Sequence, residues 1–310
     1  MNLYLVTLSG LITSIIVYFS QKYFLRTKKI VKINNRSSHN VIATSNGGLS
    51  IFLALFTISS WNYLSGVTLF DYSILIPLGI MVVLGMYDDN KTVDFKLKFI
   101  FQIIVAKIII DNGFIIDNLH GFLNIYELSN IVAQCFTIFV VVGIINAINF
   151  IDGIDGLAIF VASIFIISFE FFNKSIPEFK YLSSIIIGSF IPLFFFNYKK
   201  KNKVFLGDGG SLLLGTLISI YTIYILSNNY IIKDEFDINK ILFVISILVY
   251  PFIDISRVFL LRIINKKSPF VADKNHIHHL LLKKINSHSI VSITILAISI
   301  LIITLFQIIF

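Results

Sequence analysis

FTIFVVVGIINAINFIDGIDGLAIFVASIFIISFEFF, residues 136–172, holds two apolar runs joined at a short polar seam. The seam carries Asn146, Asn149, Asp152 and Asp155, each three residues after the last. An apolar run of roughly 17–25 residues is long enough to cross a bilayer as a helix. Two such runs with almost nothing between them predict a membrane hairpin whose tip is polar. Gly153 and Gly156 in the seam predict that the helix breaks there, so that the four polar groups converge instead of fanning around one axis.

The rest of the chain repeats the apolar theme. Of its 310 residues, 56% are hydrophobic and 14% charged, with a mean hydropathy of +0.88, far more apolar surface than a soluble domain of this size needs. The reading is an all-α polytopic membrane protein of about ten transmembrane helices, forming a single integral-membrane domain over 1–310. The spans lie near 3–20, 47–66, 68–87, 97–111, 128–148, 156–172, 181–197, 206–226, 241–263 and 289–309. The first apolar run has no basic residues before it and no small-residue cleavage site after it. Lys22, Arg26, Lys28 and Lys29 follow it, as expected of a retained first span with its N-terminus outside. The lone cysteine, Cys135, excludes an internal disulfide and is expected to pack within its apolar run.

Basic residues alternate between the two membrane faces. The loops after the first, third, seventh and ninth spans hold nineteen Lys and Arg, against four (Lys174, Lys180, Lys233 and Lys240) in the opposite loops. The richer side is cytoplasmic by the positive-inside rule. The net charge of +8 is thereby spread along one membrane face, which argues against nucleic acid as a partner. Every polar cluster falls on that same face: RSSHN (36–40), GGLS (47–50), GMYDDN (85–90), NAINFIDGIDGLA (146–158), FLGDGGS (205–211) and DKNHIHHLLL (273–282). Mid-span ionisable groups are few, namely Lys107, Glu170, Asp254 and Arg257, and the last two are expected to pair with each other, with support of a metal site as the alternative. The outer stretch 111–129 alternates apolar residues around Gly113 and Gly121 and is expected to form a small hairpin.

Asp88, Asp89, Asp152, Asp155 and Asp208 would repel one another if gathered, and a divalent cation removes that cost. Oxygen donors without thiolates select Mg2+, with Mn2+ as a substitute, and Mg2+ works with substrate phosphates. The glycines and helix N-terminus of FLGDGGS suit phosphate approach. The clusters together predict phosphoryl transfer at a membrane surface.

With these blocks in order, the chain resembles the polyprenyl-phosphate N-acetylhexosamine-1-phosphate transferases, along nearly its whole length. The resemblance implies an inner-membrane enzyme of ten or eleven spans with a cytoplasmic active site. Such an enzyme moves a sugar 1-phosphate from a UDP-N-acetylhexosamine to undecaprenyl phosphate and releases UMP, starting an O-antigen or another envelope polymer. It implies Asp208 and Asn149 as metal ligands, and Asp88, Asp89, Asp152 and Asp155 as catalytic. Asn146, Gly47, Gly48, His276, His278 and His279 would bind substrate, and a homodimer in membrane lipid is open to it. Two departures stand out: Thr-Ser-Asn precedes the glycine block where relatives often carry Pro-Arg, and Ile277 interrupts the histidines. The interrupted HIHH differs from the three consecutive histidines of the peptidoglycan branch, which transfers phospho-N-acetylmuramoyl-pentapeptide and is the rival within the class. The rival outside it is a cation transporter, against which the scarcity of mid-span charges counts.

Overall fold

A computed structural model describes residues 1–31, 41–174, 179–227, 229–232, 239–266 and 275–309. RSSHN and Lys274 lie outside these residues. Each of the ten expected spans is helical, the ninth as two helices. In chain order they are α1 (Leu3–Arg26), α2 (Gly47–Leu64), α3 (Leu75–Lys91), α4 (Phe95–Asp111), α5 (Asn130–Ile151), α6 (Leu157–Phe172), α7 (Lys180–Asn197) and α8 (Gly207–Ile225). After these come α9 (Asn239–Ile247) with α10 (Val249–Ile264), then a short α11 (Ile277–Ile285) and a final α12 (His288–Ile309). Among the described residues, seven helices are long and apolar enough to cross a membrane: α1, α2, α3, α5, α7, α8 and α12. The helices α9 and α10 are together long and apolar enough for a further span, broken by a 68° bend between them. The two remaining segments fall short of that standard: α4 carries Lys96, Lys98, Lys107 and Asp111, and α6 has 16 residues, about 24 Å at 1.5 Å per residue. The chain is a multi-pass membrane protein.

The sequence explains which helix lies at the centre. In GDGGSLLLGTLISIYTIYI the small residues and leucines leave no polar face, and every side chain from Gly209 to Ile225 is buried. The surrounding helices pack on α8, above all α3 and α5. Small residues bring the backbones close, as in other membrane bundles: a Cβ at Gly215 would stand 2.7 Å from Ile145 Cα. The long α1 lies on α7 by the same means. Gly10 approaches Gly188 O there, and Ser9 Oγ donates to Ile185 O (2.6 Å) and meets Ser189 Oγ (2.8 Å).

Two short strands tie the glycine block to the α8 entrance. Strand β1 (Ala43–Thr44) pairs in parallel with β2 (Lys203–Val204). The ladder continues past them, since Gly47 N and Gly48 N donate to Phe205 O and Leu206 O at 3.0 and 2.9 Å. The N-termini of α2 and α8 therefore start side by side. Between α4 and α5 the expected small hairpin forms: Asn118 and Glu127 make an antiparallel bridge flanked by Leu119 N–H to Tyr126 O (2.8 Å) and Leu128 N–H to Asp117 O (2.7 Å), and His120 Nε2 is 2.6 Å from Leu226 O. Cys135 does not pack inside as expected; it is exposed. Apolar surface facing lipid costs nothing, so an apolar run does not specify burial in a membrane chain.

Candidate active site

The seam breaks where the glycines predicted. Helix α5 ends at Ile151, and Gly156, with φ +74°, starts α6 in a left-handed conformation that a side chain would strain. A Cβ on Gly156 would also strike the Tyr198 hydroxyl, which donates to Asp155 O at 2.8 Å. The turn so formed lines a cavity of about 280 Å³, with Asp152, Gly153 and Asp155 on one wall and Asp89, Gly207, Asp208 and His279 on others.

The α8 entrance supplies the centre of the site. Gly207 has φ +72° and no room for a Cβ, which would lie 2.6 Å from Asp89 Oδ2. Asp208 N–H donates to Asp89 Oδ1 at 3.1 Å, so Asp89 caps a backbone donor left open at the helix start. The Asp208 carboxylate turns inward: Asn149 Nδ2 is 3.3 Å from Oδ1, and Lys98 Nζ is 3.2 Å from Oδ2. The Lys98 ammonium is shared with Asp88 Oδ2, while Asp88 Oδ1 accepts from Val93 N at 2.5 Å. Thus α3, α4, α5 and α8 bring three carboxylates, one amide and one ammonium together.

Asp152 faces this cluster from the turn. Its burial, and then the charges of Asp208, Asp89 and Asp155, push its carboxyl well above the usual carboxylate range. Among the described residues no three His, Cys, Asp or Glu side chains form a ready-made metal-binding group. The donor set nevertheless fits a hard cation. It is oxygen-rich, and Lys98 already occupies the space between two carboxylates as a cation would. Asn149 would need its amide turned to present oxygen, with the Ser211 hydroxyl, 2.8 Å from Nδ2, then donating.

The four seam residues do not all meet. Asn146 exchanges hydrogen bonds with Gln102 on α4 (2.7 and 3.3 Å), away from the cavity and at the edge of an apolar groove. Asp155 pairs with Lys203 of β2, and its N–H donates to His288 Nδ1 at 3.2 Å. Gly47 and Gly48 do not line the cavity; they touch Phe205, Leu206 and Gly210 and set α8 in place. Of the histidines only His279 lines the cavity, while His276 and His278 are buried behind the turn. The expected Asp254–Arg257 pair is not formed. Asp254 instead binds His276, and Arg257 donates to Asn275 O at 2.6 Å. Sequence reading missed Lys98, Gln102, Lys203 and His288. The only signal for Lys98 was its place ten residues after Asp88 on a basic helix.

The groove beside Asn146 has a volume of about 380 Å³ and runs between α4, α5 and α10. Its lining on α5 extends from Cys135 to Phe150, about 22 Å along the helix.

Comparison with known proteins gives a concordant picture. Residues 72–226 match the model of glycosyl transferase family 4. The chain is 31% identical over 255 residues to a probable undecaprenyl-phosphate N-acetylglucosaminyl 1-phosphate transferase of Bacillus subtilis, covering 80% of this chain and 68% of that one. It is also 31% identical to the undecaprenyl-phosphate alpha-N-acetylglucosaminyl 1-phosphate transferase of Pasteurella multocida (81% and 71% covered). A phospho-N-acetylmuramoyl-pentapeptide-transferase of Streptococcus equi is 28% identical, with 71% and 73% covered.

Proposed function

Since the chain belongs to glycosyl transferase family 4, we propose that it transfers N-acetylhexosamine 1-phosphate from a UDP-sugar to undecaprenyl phosphate at the cytoplasmic face of the inner membrane. A phosphate oxygen of the lipid attacks the sugar-bearing phosphorus. The new P–O bond replaces the bond to the uridylate phosphate, and UMP leaves. No proton need be gained or lost by the lipid anion, so positioning and charge neutralisation dominate.

One observation carries the reading: Asp208, on the cavity wall, shares the Lys98 ammonium with Asp88 and meets Asn149, which is one helical turn from Asn146 at the apolar groove. The groove suits a polyprenyl tail and the cavity suits the nucleotide sugar. Asp208 and Asn149, with Asp88 and Asp89 beside them, would hold Mg2+. When bound, that ion supplies positive charge to the diphosphate oxygens. Asp152 lies on the cavity wall where substrate enters, and His279 faces the same space. Asp155, fastened to Lys203 and His288, holds the turn in position. Lys203 also places a basic group next to β1, close to the point where the glycine block departs from relatives.

Membranes carrying the protein should convert labelled UDP-N-acetylhexosamine and undecaprenyl phosphate into a labelled diphospholipid plus UMP, and EDTA should stop the conversion. No labelled lipid from any UDP-N-acetylhexosamine, with or without added Mg2+, would refute the proposal. Product formed only from the UDP-N-acetylmuramoyl-pentapeptide would move the protein to the peptidoglycan branch.

A further inference from the structure

The two histidines that do not line the cavity are held from a single helix. Tyr250 and Asp254 lie four residues apart on α10 and so share one face. Asp254 is fully buried. Its Oδ2 is 2.6 Å from His276 Nδ1, and its Oδ1 accepts the Ile277 N–H at 2.6 Å, at the start of α11. The Tyr250 hydroxyl is 3.1 Å from Nδ1 of His278. Both imidazoles are thereby engaged through Nδ1.

What lies beyond the rings is the acidic turn. His276 stacks on Phe150 near the end of α5, with centroids 5.8 Å apart, and on His278 at 5.5 Å. His278 is fully buried, and among the described residues its Nε2 has no hydrogen-bond partner. That nitrogen abuts Gly153, where a Cβ would lie only 2.4 Å away. Burial pushes the His278 imidazole down to about 3, so this ring is neutral at working pH. A buried carboxylate in an apolar helix needs strong partners to persist. Capping α11 would occupy one oxygen of Asp254, yet the second is spent on His276. A carboxylate can only accept, so the His276 proton sits on Nδ1.

We propose that Asp254 and Tyr250 are positioning residues of the transfer reaction, Asp254 fixing the tautomer of His276 and the two together fixing the ring planes of His276 and His278 that brace the 152–155 turn. The proposal rests on the transferase reading, and its main readout needs no turnover.

The test uses full-length protein with 15N-labelled histidine in micelles at about pH 8, where free imidazole is neutral. His276 of the wild type should carry its proton on Nδ1. Asp254→Asn keeps an oxygen for the Ile277 N–H but offers an amide donor to Nδ1, which moves the proton to Nε2. With that change kcat should fall about 100-fold, the loss expected for a misplaced reacting group, while the KM for UDP-sugar stays within about threefold. Tyr250→Phe, which preserves the ring packing, should lower kcat by about tenfold with KM likewise held. A wild-type His276 protonated on Nε2 overturns the proposal. So does a flipped tautomer in Asp254→Asn with kcat within threefold of wild type. If Asp254→Asn does not fold, the wild-type tautomer and Tyr250→Phe decide, and undiminished turnover in Tyr250→Phe overturns it. A wild type that transfers nothing would strike at the enzymatic reading, while the tautomer would still be read.

Discussion

Gly48→Ala tests whether helix packing sets the position of Asp208. A methyl group there would lie 2.1 Å from Gly210 N and 2.3 Å from Gly210 Cα. Both are backbone atoms and cannot rotate aside. Ordinary contact begins near 3.4 Å, so α2 and α8 must part by about 1.3 Å at this crossing. The opposite side offers no slack, because Gly85 of α3 meets Gly209 just as closely. Overpacking of this kind costs about 1–3 kcal/mol, visible as a fall of several degrees in melting temperature. The catalytic effect should be the larger. The displaced residue is two positions from Asp208, and a misplacement of about 1 Å costs about 100-fold, or about 2.7 kcal/mol of barrier. Radiolabelled lipid formation by purified protein, with thermal unfolding in the same detergent, measures both. Gly143→Ala is the control, since nothing lies within 4 Å of a Cβ there. A Gly48→Ala protein with kcat within threefold of wild type and an unchanged melting temperature would refute the reasoning.

Asp208→Asn should lower transfer by about 1,000-fold while the protein still inserts, and near-normal turnover would show that the cation is held elsewhere. Gly143→Phe, placed in the open groove, should raise the KM for undecaprenyl phosphate about tenfold and leave that for UDP-sugar unchanged; equal changes in both would count against a lipid site there. Asp152 has a raised pKa when folded, so ionising it in the native state costs stability, and that cost grows as pH rises above the usual carboxylate value of 3.8. In EDTA, therefore, Asp152→Asn should melt higher than wild type at neutral pH, with the gap closing as pH falls toward 4. A gap that does not change with pH contradicts that assignment.

Much of this was legible because membranes restrict what a sequence can mean. Apolar length predicted all ten helical segments, and glycine spacing predicted the break after Ile151. The approach of Asn149 to Asp208 agrees with what the family resemblance implied. What was not legible depended on rotation about helix axes and on partners distant in sequence. Asn146 is one turn from Asn149, yet that offset is enough to aim it at Gln102. Lys203 and His288 reach Asp155 from β2 and α12, 48 and 133 residues away, with no motif of their own. The 68° bend before Val249 did leave a trace in Pro251, which sits in the first turn of α10, where a proline lacks no hydrogen bond. Asp254 and Arg257 were paired on paper because they are three apart, but α11 brings a closer partner, His276.

The two halves of the site are joined by α4. Phe95, Phe99 and Ile103 recur every four residues and line the groove, whereas Lys98 and Gln102, also four apart, face Asp88, Asp208 and Asn146. One helix thus turns an apolar stripe to the groove and a polar stripe to the acidic cluster, with Lys98 at the boundary. Lys98 neutralises two carboxylates that would otherwise repel. With a cation held by Asp208 and Asn149, the Lys98 ammonium would be available to an anion arriving along the groove, which under the proposed function would be the lipid phosphate. Lys98→Met keeps the length and apolar stem of the side chain and removes only the charge. It should therefore raise the KM for undecaprenyl phosphate by about tenfold or more, through loss of a charged contact of about 1.5–3 kcal/mol, with a smaller effect on UDP-sugar. If the nucleotide KM rises instead and the lipid KM holds, Lys98 faces the donor and α4 does not join the two halves.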